Sequence, residues 1–374
     1  MPGGLARVVG GGAKDVWVLA EERAEIRGPG ALRLPALAIR RTAGDLPSRV
    51  ADNLFWLGRY VERLDDAARM MRATIARLER APMLPRDAAE LRALSRCLLE
   101  SKILRAEDGT EEAGLRAALR RASEPGGQLI RLTDEVSRLV EASRDRLTND
   151  MHAAFTGPLR EARAALRVAR TEAGLAAALG LLVRYASGVA GVAAENMVRG
   201  GAHAFLDLGR RMERAACVAG MLGQVLAEPP SRVESGLTLA LELCDSVITY
   251  RNRYLHVLQP APSLDLVIAD PANPRGLAFQ LAAAESLLSQ VEGAGDAVLS
   301  GTAGALREAA EAMAAEVVGA GDGAVAAVAL SKRLLALEEA VSDLSDGVGR
   351  RYFTLLAAPQ RLGVDTAEAV RGAA

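Results

Sequence analysis

Ser48-Arg49-Val50-Ala51-Asp52-Asn53-Leu54-Phe55-Trp56-Leu57-Gly58-Arg59-Tyr60-Val61-Glu62-Arg63 opens a run whose apolar residues recur at helical spacing. Val50, Leu54, Leu57, Val61, Leu64, Ala68, Met71, Ile75 and Leu78 follow in steps of three and four, which places them on one stripe of a long helix. Ser48 reads as its N-cap, and Ala81-Pro82 as its end. Working outward, helices are expected around 86–106, 111–123, 127–148, 158–187, 202–227, 232–258, 275–293, 302–317 and 322–356. The breaks carry Gly or Pro: Pro125-Gly126-Gly127, Gly157-Pro158, Gly200-Gly201, Pro229-Pro230, Pro271 to Pro274, and Gly319 to Gly323. Asn273-Pro274 reads as N-cap and first turn. No long segment after residue 45 alternates with the period of a strand. The fold class is therefore all-α, a multi-helix bundle of about ten helices.

The first 45 residues differ. Leu5-Ala6-Arg7-Val8-Val9 and Asp15-Val16-Trp17-Val18-Leu19 have strand length and are joined by Gly10-Gly11-Gly12-Ala13-Lys14. Two short strands cannot hold a core alone, so residues 1–28 read as a short non-helical remnant of a larger α/β structure. Residues 29–45 read as a linker, 46–360 as the helical domain and 361–374 as a tail.

Composition narrows the function classes. Half of the 374 residues are apolar but only 3% are aromatic, so a sizeable core must be built of Ala, Leu and Val. Lys plus Arg number 46 and Asp plus Glu 47. Without a global basic field, a nucleic-acid partner is not expected. Cys97, Cys217 and Cys244 fit no C-x-x-C pair or disulfide framework, which suggests a reducing, cytoplasmic setting. No apolar run is expected to reach the ~20 residues of a membrane span, and the opening Met1-Pro2-Gly3-Gly4 does not read as a secretory leader.

A repeat is more specific than periodicity. Leu57-Gly58-Arg59-Tyr60-Val61-Glu62-Arg63 and Leu208-Gly209-Arg210-Arg211-Met212-Glu213-Arg214 share the pattern L-G-R-x-x-E-R. The same register sets Leu54 on Phe205, Val61 on Met212 and Met71 on Leu222, so an internal duplication with pseudo-two-fold packing is a fair reading. Glycine inside a helix costs about 0.5–1 kcal/mol relative to Ala, and here it suggests close approach of another backbone. Arg59, Glu62 and Arg63 are expected to be partly enclosed, and enclosed charges need partners. Those partners lie either within the helix, as Arg59 with Glu62 or Arg63 with Asp66, or across it, as Glu62 with Arg210 or Arg214 and Glu213 with Arg59 or Arg63. Three readings stay open: a network clamping two halves, a functional carboxylate–guanidinium pocket, and solvated pairs of little energetic weight.

Two further segments are candidates. Tyr250-Arg251-Asn252-Arg253-Tyr254 puts two tyrosines on one face with Arg251 and Arg253 beside them, near a helix C-terminus. Asp270-Pro271-Ala272-Asn273-Pro274-Arg275 is a rigid turn that opens a helix, and its N–H groups could receive an anion, although such turns more often fix direction. His152, His203 and His256 stand in no metal-binding spacing. Glu62, Glu195 and Glu213 could hold a hard cation, but nothing requires it, so no metal is assigned. There is no Ser-His-Asp pattern and no Walker A loop.

The segments 46–63, 205–214, 250–254 and 270–275 closely resemble, in order, the signatures of the bacterial alpha-E domain family, an all-helical family of poorly defined function. Met1 to Val8 and Gly11 to Leu19 resemble the C-terminal end of circularly permuted ATP-grasp proteins. Those enzymes join a carboxylate to an amine through an acyl-phosphate. The two resemblances together imply an accessory module of such a ligase system in peptide synthesis or modification. Its expected partners are the ATP-grasp protein and a peptide substrate or product. The ATP- and magnesium-binding parts are absent from this chain, so the resemblance implies no cofactor here. With the repeated charged signature, the residues expected to form a binding pocket are Arg59, Glu62, Arg63, Arg210, Glu213, Arg214, Arg251, Arg253, Asp270, Asn273 and Arg275. The alternatives are an enzyme using Glu62 or Glu213 as general base and a purely structural scaffold.

Overall fold

Leu54, Leu57, Val61, Leu64, Ala68 and Met71 are fully buried, and most of the helix that carries them is enclosed by other helices. The computed structural model describes residues 46–80, 84–255, 257–293 and 295–353. The strand-like runs, the linker, His256 and the tail lie outside the described residues.

The elements, in order, are α1 (Ser48–Leu78), α2 (Pro85–Glu100), α3 (Glu112–Ser123), α4 (Gln128–Ala142), α5 (Asn149–Val168), α6 (Glu172–Asn196) and α7 (Gly201–Val225). They continue with α8 (Val233–Leu243), α9 (Val247–Tyr254), α10 (Pro260–Leu264), α11 (Leu277–Glu292), α12 (Val298–Gly319), α13 (Gly323–Ala329) and α14 (Ser331–Tyr352). No strand occurs among the described residues, so the all-α reading stands.

Several boundaries differ from the sequence reading. Pro158 lies inside α5 rather than at a break. The chain turns instead at 169–171, where the Thr171 hydroxyl accepts a hydrogen bond from the Gly174 N–H at 3.1 Å and caps α6. The expected helix 232–258 is cut between α8 and α9, where Asp245 adopts a left-handed φ of 53°. The expected helix 322–356 is cut at Leu330. Ser48 is the first helical residue and not the cap; Pro47 precedes it, and its carbonyl accepts from the Val50 and Ala51 N–H groups. α6 also corrects the membrane reading. Built largely of Ala, Leu, Val and Gly, it is long and apolar enough to cross a bilayer by length and composition. It packs against α1 and α5.

α1 and α7 form the centre. α4 and α6 pack on α1, α11 and α14 pack on α7, and α2 touches both. Ion pairs with at least one buried member lock this arrangement. Arg77, the largest fully buried side chain, joins α1 to Glu90 of α2 at 2.7 Å and to Glu242 of α8 at 2.5 Å. Glu228, after α7, takes both Arg92 and Arg96 of α2. Removing Arg77 would leave the buried Glu90 with an uncompensated charge, a change that typically costs about 3–5 kcal/mol.

Candidate functional site

The duplicated segments face each other. A Cβ on Gly58 would lie inside van der Waals contact of the Leu206 carbonyl and 2.9 Å from the Arg210 nitrogen. A Cβ on Gly209 would collide in the same way with the Phe55 carbonyl. Phe55 and Leu206 are equivalent positions of the repeat, so each glycine receives the other copy's backbone at the same place. Farther along, Glu62 meets Arg210 and Arg214, and Asp66 and Met70 line one cavity with Cys217 and Met221, so α1 and α7 run in the same direction.

The charges then exchange partners across the crossing. Glu62 accepts from Arg210 Nε at 3.0 Å and from Arg214 Nε at 2.7 Å. Glu213 accepts from Arg59 Nε at 2.5 Å and from Arg63 through both Nε and a terminal nitrogen, the latter at 3.2 Å. Glu62 and Glu213 are only 3% and 6% exposed, so solvated pairing is excluded. The within-helix pairs of Arg59 with Glu62 and Arg63 with Asp66 do not form; the arginines reach across instead. Arg59 also donates to Ser345 of α14 at 2.7 Å, while Arg210 donates to Asp207 at 2.9 Å. Arg59 lies 4.8 Å from the Trp56 ring centre and Arg63 5.2 Å from that of Tyr60, a favourable cation–π placement.

The other sequence candidates form a brace beside this lattice. Arg253 pairs with Asp270 at 2.5 Å, and Arg251 is exposed. Burial alone would raise the Asp270 carboxyl, but Arg253 and the Ala272 N–H hold it below its ordinary range. Asn273 does not cap the following helix, whose N-cap is Gly276. Its amide instead donates to Ser246 and to the Leu266 carbonyl, and its oxygen accepts from the Arg275 N–H at 3.0 Å. Because Asp270 and Asn273 take up the turn's own N–H groups, these are not free for an external anion. Arg275 reaches α1, donating to Asp65 at 3.0 Å. Arg251 and Arg253 thus stand apart from the twin lattice, whereas Arg275 joins the adjoining turn of α1.

One helical turn beyond Glu62 and Glu213 lie Asp66 and Cys217, again equivalent positions. Here a cavity of about 460 Å³ opens between α1, α2, α4, α7 and α14. Arg63 and Glu213 border it, and Asp66, Cys97, Cys217 and Glu338 face it. Among the described residues neither Asp66 nor Glu338 has a hydrogen-bond or ion-pair partner. Burial, with Asp65 and Glu213 nearby, pushes the Asp66 carboxyl up to about 7, against the opposing effect of Arg275 and Arg69. Burial, with Glu100, Glu339 and Glu213, pushes Glu338 up to about 7 as well. Burial also raises the Cys97 and Cys217 thiols, so neither is poised as a thiolate.

The family described as Alpha-E, a predicted alpha-helical domain with a conserved ER motif, matches residues 46–353. The chain belongs to the Alpha-E family. Glu62-Arg63 and Glu213-Arg214 are the Glu-Arg steps within its paired segments. Uncharacterised protein Rv2567 of Mycobacterium tuberculosis is 27% identical over 296 residues, covering 72% of this chain and 33% of the relative. Uncharacterised protein Mb2597 of Mycobacterium bovis matches to the same extent. The matched region is thus about a third of the length of these curated relatives. No solved structure matches the chain.

In this Alpha-E chain the sequence reading named Asp66 only as a within-helix partner of Arg63 and Cys97 and Cys217 only as unpaired cysteines, and it did not name Glu338; their meeting at one cavity was missed. Asp66 carried a usable signal, since it follows Glu62 by one turn and so continues a face already expected to be enclosed. Glu338 carried none: its place against Gly220 of α7 follows from packing between distant helices. Glu62 and Glu213 are saturated by guanidinium donors. Among the described residues no group of three His, Cys, Asp or Glu side chains could hold a metal ion.

Proposed function

We propose that this Alpha-E chain is an accessory helical module of an ATP-grasp-type carboxylate–amine ligase system in peptide synthesis or modification, where it binds the ligase, its peptide or its product. The observation that carries this reading is the exchange of partners at the α1–α7 crossing. Each signature glutamate already accepts from two guanidiniums. Neither oxygen pair is left to take a proton from a substrate, which favours a rigid recognition platform over a glutamate-based catalyst. The resemblance of the first 28 residues to the end of an ATP-grasp protein supports the ligase setting. The three free cysteines support a reducing, cytoplasmic one.

Affinity purification of the full chain from its native cells tests this reading. An ATP-grasp protein is expected among the retained partners, with Glu62→Gln plus Glu213→Gln weakening the association. Formation or cleavage of amide bonds by the purified chain alone would instead establish it as an enzyme in its own right.

A further inference from the structure

The cavity beside the lattice has features that the clamp does not require. Its walls include Ala67, Met70, Leu132, Ala216 and Met221, while Asp66 and Glu338 supply carboxyl groups that form no hydrogen bond or ion pair among the described residues; Arg63 and Lys102 line the same space. Glu213, also at the border, is occupied by Arg59 and Arg63. Asp66, half-buried, lies among α1, α2 and α7 and lines the cavity. Partial burial of a carboxyl that meets no donor is unfavourable, and here two half-buried ones, Asp66 and Glu338, border one space. The volume lies within the range of small-ligand sites.

We propose that this cavity binds a primary ammonium group on a short apolar stem, with Asp66 and Glu338 as its anionic partners. An ammonium offers three donors in a compact head, and Ser342, Gln128 and Gln224 line the same space as further acceptors. A hard divalent cation would need six or more oxygen ligands, and no metal-binding group of side chains is present among the described residues. The apolar walls suit an alkyl stem, as carried by a lysine side chain or by the N-terminal residue of a peptide. The inference rests on the accessory-module reading and names the group that such a module would hold, the amine partner of the ligation.

Binding couples to protons. Asp66 is faced by Asp65, Arg69, Arg275, Glu213, Cys97 and Cys217, and Glu338 by Glu100, Glu339, Glu213 and Cys97; Arg59, Tyr60, Arg63 and Lys102 line the same cavity. Both carboxyls titrate near 7, so an arriving ammonium favours their ionised forms and releases protons. Affinity therefore rises as pH is raised through 7.

Titration calorimetry on the isolated full chain tests the site. The probes are 1,5-diaminopentane and the tripeptide amide Ala-Ala-Ala, each beside its N-acetylated counterpart. At pH 8 one free amine is expected to bind at least tenfold more tightly than its acetylated form, and the stronger of the two identifies the stem. Asp66→Asn and Glu338→Gln should each weaken binding tenfold or more, and heats measured in buffers of different ionisation enthalpy should reveal proton release near pH 7. Glu338→Gln, at a partly exposed position, carries the test if Asp66→Asn impairs folding. Absence of amine binding, equal binding of acetylated probes, or indifference to both variants overturns the site. Such a result with ATP-grasp association intact removes the amine site alone, and loss of association with amine binding intact removes the ligase setting alone.

Discussion

Two adjacent turns of the α1–α7 pair behave in opposite ways. At Gly58 and Gly209 the copies are interchangeable: glycine meets backbone, glutamate meets two arginines, and each buried carboxylate is satisfied. One turn on, the equivalent positions are Asp66 and Cys217, a cavity opens beside the contact, and the carboxyl has no donor among the described residues. The same helices thus form a closed joint where the repeat holds and an open chamber where it has diverged. The joint fixes the helices, and the chamber can use that fixed geometry because its own groups are not spent on holding it.

The largest expected effect breaks the joint. Glu213→Ala strands Arg59 and Arg63, and Glu62→Ala strands Arg210 and Arg214; each should lower stability by about 3–5 kcal/mol in urea titration. Losses that differ strongly between the two would show that the copies are not equivalent. Gly58→Ala and Gly209→Ala each press a methyl against a carbonyl of the partner helix. Each is expected to cost about 1–3 kcal/mol in thermal melts, with a shift of the crossing visible in NMR spectra.

A smaller effect isolates the chamber. A carboxyl whose folded pKa is raised contributes no penalty below its unfolded value near 4, and its penalty grows as pH climbs to the folded value. For Asp66 and Glu338, near 7, stability should therefore decline from about pH 4 to 7. Asp66→Asn should flatten that decline by about 1–2 kcal/mol between pH 5.5 and 8. Asp87, Asp108, Glu228 and Glu292 have the opposite sign. Burial alone would raise them, but arginine or N–H partners hold them below the ordinary range. Their contribution is lost as pH falls below about 4. The smallest effect belongs to the surface: Arg333→Ala, which removes an exposed pair with Glu316, should leave the urea midpoint within measurement error.

The all-helical class and the α1 stripe were legible because burial selects residues at a period of three to four. The joint was legible because its glycines and charges recur at matched positions. Its pairing was not, since Arg59 and Arg63 had acceptable partners on their own helix, and only the proximity of α7 decides between them. Pro158 was misleading because a proline can sit within a packed helix, and the Thr171 cap was a weaker signal than Gly157-Pro158. The chamber was the least legible part. Its far wall comes from α14, and no local pattern brings Glu338 to Gly220.

The joint also dictates an order of events during synthesis. Its ion pairs connect residues 148 to 154 positions apart. At about 5–20 residues per second, the first copy waits on the order of ten seconds or more on the ribosome before the second emerges. Throughout that interval its arginines and Glu62 must stay hydrated, so α1 can assemble with α2 to α6 only provisionally. The final seating of the nascent domain is therefore timed by translation of residues 209–214, and a pause introduced just upstream would prolong exposure of the first helix to chaperones and proteases.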